Sequence, residues 1–162
     1  MGFSKKHMNR MQEILRNQGK KITVAESCTG GLIASKITAI SGSSDVFDGS
    51  IVSYSNLIKE KELGVNEQVL KSFGAVSKQV VSQMLDGVIQ KFDADYAIAV
   101  SGIAGPGGGS EQKPVGTVVI GIASKNDQKL IKKYKFDGDR ITVQKKATKK
   151  ALKKLYKLIK ST

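Results

Sequence analysis

Histidine and cysteine are nearly missing from this 162-residue sequence: each occurs once, as His7 and Cys28. A lone cysteine excludes any disulfide within the chain and fits a reducing compartment, so a cytoplasmic protein is expected. One of each also falls short of a histidine-and-cysteine metal site, so no such site is expected. His7 lies in a charged opening segment, remote in sequence from every glycine-rich stretch, which disfavours a Ser–His–Asp triad. No run of about 18 apolar residues occurs, so no membrane span is expected, and the start lacks the apolar core of a signal peptide. Acidic residues are scarce, 14 against 27 Lys and Arg, for a net charge of +13. Thirteen of those bases fall from residue 129 onward, beside only Asp137 and Asp139, which leaves the rest of the chain at about +2. The basicity belongs to one end and does not pervade the fold.

The composition, 40% hydrophobic and 25% charged, is that of a globular protein, and residues 1–162 read as one domain. Helix and strand patterns alternate. A helix is expected over 4–17, closed by Gly19, then a strand over 21–26. Leu32, Ile33, Ile37 and Ile40 recur at helical spacing after the cap-type residues Ser27 and Thr29. A loop covers 40–49, a strand 49–54 and a short helix 56–63. Val69, Phe73 and a turn at Gly74 lead to a helix over 77–91, striped by Val80, Met84, Val88 and Phe92. Strands follow at 95–100, 114–123 and 129–136, the last two joined by a hairpin at 125–128, and a helix closes the chain over 139–160. Such alternation predicts helices on both faces of one sheet, and the hairpin makes the sheet mixed. The expected fold is a three-layer α/β/α sandwich with a mixed, mostly parallel sheet.

Four segments could carry chemistry. The first, 25–31, reads AESCTGG where a strand gives way to a helix, the place where ligands gather in open α/β sheets. Helix-start N–H groups attract anions and two glycines permit close approach, although a plain cap and tight turn uses the same residues. Ser27 and Cys28 compete as nucleophiles here; a thiolate is favoured near a helix start, and a small buried cysteine is equally in keeping. The second, 101–110, holds five glycines and one proline after a buried-type strand, with neither Walker nor dinucleotide spacing. The third carries Tyr54 and Lys59, types that serve as acid or base when desolvated. With no usable histidine, a serine nucleophile needs a lysine or tyrosine as its base. The fourth, 137–140, holds Arg140, one of three arginines beside 24 lysines, suited to bidentate recognition of phosphate or carboxylate.

Taken in series, AESCTGG, GSS at 42–44, YSNLIKEKELGV, GAVS, SGIAGPGGGSEQKPVGTV and GDR resemble the CinA C-terminal-domain family in its usual order. The resemblance covers about residues 22–152. It implies a three-layer α/β/α fold and an activity, that of nicotinamide mononucleotide deamidases, with a nucleotide substrate and no cofactor. It implies Ser27 as nucleophile, activated by Tyr54 and Lys59. Ser43, Ser101, Gly102 and Gly105 would line the substrate, Thr29, Gly30 and Gly31 would offer backbone donors, and Arg140 would meet negative charge. A homodimer is the family habit. The lysine-heavy last helix departs from the family pattern and suggests another reading, a module binding nucleic acid or an acidic partner. Against that, Ala147, Ala151, Leu155, Leu158 and Ile159 keep helical spacing opposite most of the lysines, the pattern of an amphipathic surface helix.

Overall fold

The computed structural model describes residues 2–126 and 129–162. Among these, the order is α1 (Lys5–Gln18), β1 (Ile22–Glu26), α2 (Leu32–Thr38), β2 (Phe47–Val52), α3 (Asn56–Leu63), α4 (Glu67–Phe73), α5 (Lys78–Phe92), β3 (Tyr96–Gly102), β4 (Thr117–Ser124), β5 (Lys129–Lys135) and α6 (Arg140–Ser161). The sheet runs β2-β1-β3-β4-β5. β1 pairs in parallel with β2 and β3, while β4 is antiparallel to β3 and β5. Four strands therefore point one way and β4 the other. Helices α1, α2 and α6 cover one face, and α3, α4 and α5 the other, which is the expected three-layer arrangement. No helix among the described residues is long and apolar enough to cross a membrane.

Local chemistry sets the element ends. Ser4 caps α1, its N–H donating to His7 Nδ1 at 3.1 Å, so the single histidine closes its own first turn. Gly19 ends that helix at φ 62°. Asn66 and Ser77 cap α4 and α5 with side-chain acceptors, and α4 forms where sequence pattern offered only a lead-in. β2 begins two residues earlier than expected because Phe47 is drawn into register with Ile22. β4 begins three residues later than expected: Pro114 has no N–H, and its carbonyl instead closes a turn onto Thr117. Of the hairpin expected at 125–128, Lys125 and Asn126 form a turn, and residues 127 and 128 lie outside the described residues.

The two faces of the sheet differ in bulk, and the difference places the site. Towards α1, α2 and α6 the strands present Val24, Ile98, Val100, Ile120 and Ile122. Towards α5 they present Ala25, Ala97, Ala99 and Ala123, and a Cβ on Gly121 would lie 2.7 Å from Val81 and 2.8 Å from Leu85. The small residues let α5 sit close, and α3 is pressed against it: a Cβ on Gly87 would lie 1.9 Å from the Leu63 carbonyl oxygen. Backbone cannot yield as a side-chain tip can. Gly87→Ala should therefore destabilise the fold by about 1–3 kcal/mol or more, read as a lower melting temperature. Unchanged melting would show that α3 is not held by this contact.

Candidate active site

The carboxyl ends of β1, β2 and β3 lie side by side, since Glu26 pairs with Val52 on one side and Val100 on the other. Each strand hands its chain to a turn at that edge, and the turns form the site. After β1, the Ser27 N–H donates to the Val100 carbonyl at 3.0 Å, fixing the turn against β3. After β2, Ser53 donates to the Glu26 carbonyl twice, from its N–H at 2.7 Å and its hydroxyl at 3.1 Å. The two strand ends are thereby bound into one unit.

Ser55 then caps α3, accepting from the Ile58 N–H, and Lys59 falls one turn in, on the same face as buried Leu63. Its side chain turns back under the strand ends. Lys59 Nζ lies 2.8 Å from the Ser53 carbonyl oxygen and 3.1 Å from Ser27 Oγ. Although a lysine, it is 1% exposed. Burial lowers its pKa below the ordinary lysine range, because a desolvated ammonium is disfavoured. A neutral amine has one lone pair, and the hydroxyl proton of Ser27 is within its reach.

Cys28 also borders the cleft at these strand ends. Its thiol is buried against Gly102, where a Cβ would lie 2.9 Å from Sγ. Burial pushes that thiol up to about 12, so it stays protonated at neutral pH. Of the two residues that sequence left open as nucleophiles, Ser27 is the one whose side chain contacts the Lys59 amine. Iodoacetamide should alkylate folded Cys28 at pH 8 about 10³-fold or more slowly than in the urea-unfolded chain, where the thiol has its ordinary pKa. Comparable rates would show an accessible thiolate and reopen the choice.

Arg140 stands across the cleft, first residue of α6 and directly after its Asp139 cap. One guanidinium nitrogen donates to the Gly105 carbonyl at 2.9 Å and another to the Tyr54 hydroxyl. Tyr54 is more than half exposed, and its hydroxyl accepts from Arg140. The cleft enclosed by these groups has a volume of about 260 Å³, and Ser101, Gly102 and Gly105 line it beside Ser27, Lys59 and Arg140.

Two expectations change. Ser43 lies in a 3-10 turn at the opposite edge of the sheet, ahead of β2, where Arg16 pairs with its neighbour Asp45. The six residues of β2 separate it from the cleft by about 20 Å, so within one chain it lines nothing there. The start of α2 is also less available than its sequence suggests. Both oxygens of the buried Glu26 carboxylate accept its N–H groups, from Ile33 and Ala34, each at 3.0 Å, and Gly30 donates to the Ser27 carbonyl. Gly30 and Gly31 serve the turn through their positive φ of 60° and 102°. Thr29 is buried, and its hydroxyl has no hydrogen-bond partner among the described residues.

Sequence reading missed three supporting residues. Glu26 and Ser53 tie the strand ends together, and Gln144 of α6 donates to the Cys28 carbonyl at 2.9 Å, steadying the turn from the side. A charged residue closing the otherwise apolar β1 was a visible signal for Glu26. Nothing local marked Gln144, which is 116 positions from its partner.

The CinA C-terminal domain profile matches residues 4–159. The chain belongs to the CinA C-terminal-domain family. It is 51% identical over 147 residues to a competence-damage inducible protein of Caldicellulosiruptor saccharolyticus, covering 91% of this chain and 36% of that one. The chain thus spans about a third of that longer relative. It is 54% identical over 130 residues to the nicotinamide-nucleotide amidohydrolase PncC of Enterobacter agglomerans, covering 80% of this chain and 79% of that one. The crystal structure of the competence/damage inducible protein CihA of Agrobacterium tumefaciens superposes with a TM-score of 0.92 at 40% identity, over 94% of this chain and 93% of that one. The mixed sheet and flanking helices are therefore the CinA domain fold.

Proposed function

We propose that this CinA domain hydrolyses the carboxamide of nicotinamide mononucleotide, releasing ammonia and nicotinic acid mononucleotide. The observation that carries the reading is the contact of a buried, desolvated lysine amine with a serine hydroxyl at the edge of a cleft. The name of the Enterobacter agglomerans relative, which matches over most of both chains, supplies the substrate.

The geometry suits a Ser–Lys mechanism. Neutral Lys59 takes the Ser27 proton as Oγ attacks the carboxamide carbon. The resulting ammonium returns that proton to the amide nitrogen, which leaves as ammonia and leaves the acyl group on Ser27. Water then attacks the ester, its proton passing to Lys59 and on to Ser27 Oγ, and the carboxylate is released. Backbone N–H groups of the glycine-rich loop lining the cleft can stabilise the tetrahedral oxyanion. Arg140 spends two donors on Gly105 and Tyr54, and a guanidinium has five, so others remain for the phosphate. Tyr54 acts in this scheme by holding Arg140 at the mouth of the cleft.

Ser27→Ala should abolish ammonia release from nicotinamide mononucleotide without lowering the melting temperature, and Lys59→Ala should reduce it by roughly 10²–10⁴-fold. The base must be unprotonated, so kcat/KM should rise with pH and level off around an apparent pKa below that of a free lysine. A flat profile, or an active Lys59→Ala protein, would sink the Ser–Lys scheme.

Recognition has its own test. Arg140→Ala should impair turnover of the mononucleotide while leaving the slow turnover of nicotinamide riboside little changed, because only the former carries the phosphate. Equal losses on both substrates would show that Arg140 supports the fold of the cleft and does not meet the phosphate.

A further inference from the structure

A second concavity, of about 500 Å³, opens where the start of α1, the outer side of α2 and the middle of α6 meet, and it shares no lining residue with the active cleft. Its floor is apolar, built from Phe3, Met8, Leu32, Ile40 and Leu152. Its rim is Lys5, Lys36, Lys145 and Lys149, and no acidic side chain lines it. None of these four lysines forms an ion pair among the described residues, whereas Lys21, Lys71, Lys91 and Lys129 elsewhere are matched to carboxylates at 2.6–2.9 Å. Lys145 contributes to holding down the pKa of Asp139, the carboxylate that caps α6.

Lysines on a solvated helix face flank a convex polar surface and repel one another freely into water. Here three helices bring four of them around one apolar hollow, within the size range of small-molecule sites. Long lysine side chains can lay their methylene stems along such walls and keep their ammoniums in water at the lip. An apolar hollow calls for an apolar body, and an unmatched ring of cations calls for an anionic head. We propose that this groove binds a small amphipathic organic anion, an apolar ring or short chain carrying a carboxylate or phosphate. Such a ligand would rest on Leu32, the first residue of α2, immediately after the Gly31 that ends the catalytic turn.

The probe is 1-anilinonaphthalene-8-sulfonate, titrated by fluorescence against the intact folded protein, with octyl phosphate and octanoate as competitors. One saturable site is expected, displaced by either octyl anion but not by octanol or inorganic phosphate at equal concentration. The better competitor identifies the head group. Lys36→Gln with Lys149→Gln should weaken dye binding at least tenfold, and Ala39→Trp, which fills the hollow, should do the same without changing its charge. Lys132→Gln with Lys133→Gln removes equal charge from β5 and should leave binding within twofold. Failure to saturate, equal weakening by both lysine pairs, or displacement by octanol as readily as by octanoate would each overturn the proposal. Ammonia release measured on the same variants keeps this result separate from the deamidase reading, since no substituted residue lines the active cleft.

Discussion

Lysine is the residue a folded chain most readily leaves in water, yet Lys59 is enclosed beneath the sheet edge with no carboxylate partner among the described residues. Keeping an ammonium there would cost several kcal/mol in lost hydration, and the lower pKa relieves that cost by favouring the neutral amine. The surrounding structure is arranged to hold that amine. Parallel pairing of β1 and β2 places Ser27 and Ser53 in adjacent turns, and Ser53 presents its carbonyl oxygen to Nζ while its N–H and hydroxyl grip Glu26. Close approach of α3 to α5 over Gly87, permitted by the small residues on that face of the sheet, brings the lysine underneath. Lys59, Ser27 and the strand ends share one hydrogen-bonded frame.

Glu26 divides the labour of the site. A helix N-terminus at the end of a β-strand commonly holds a phosphate. In this chain a buried carboxylate of the fold already occupies two N–H groups of α2 and takes the benefit of its dipole. An external anion at that end would meet like charge and few free donors. Positive charge at the cleft comes instead from Arg140, which enters from the far side of the chain, braced by Tyr54 and the Gly105 carbonyl.

Periodicity and caps made most of the fold legible. The bounds of α3 follow from its serine cap and Gly64, and those of α5 and α6 from Ser77 and Asp139, because a cap is a local event. The start of β2 was not legible, since pairing with Ile22 decides it. The site was legible in its turns and less so in its supports. Among 24 lysines, composition says nothing of Lys59; its place four residues before Leu63 on α3 is a hint, and the family motif singled it out. Ser43 entered through the GSS piece of the family motif, and the direction of β2 places it at the end of that strand away from the cleft. The family resemblance implied a proton-transfer role for Tyr54, and the structure adds that its hydroxyl accepts from Arg140, 86 positions away.

Helix α2 connects these observations mechanically. Seven residues are too few for a helix to persist by propensity alone. It is pinned at both ends by buried side chains from other elements: Glu26 receives its first N–H groups, and Gln12 of α1 donates to the Ile37 carbonyl at 2.9 Å near its last turn. One side of it, through Ile33 and Ile37, is sealed in the core, and the other, through Leu32 and Lys36, faces the groove. A short helix held this way responds to a push as a unit, since bending it would break a buried hydrogen bond at one end or the other. Its N-terminal anchor, Glu26, directly precedes Ser27. The Glu26 carboxylate holds α2 while the Glu26 carbonyl accepts from Ser53, so the anchor of α2 and the turn whose carbonyl faces Lys59 meet at one residue.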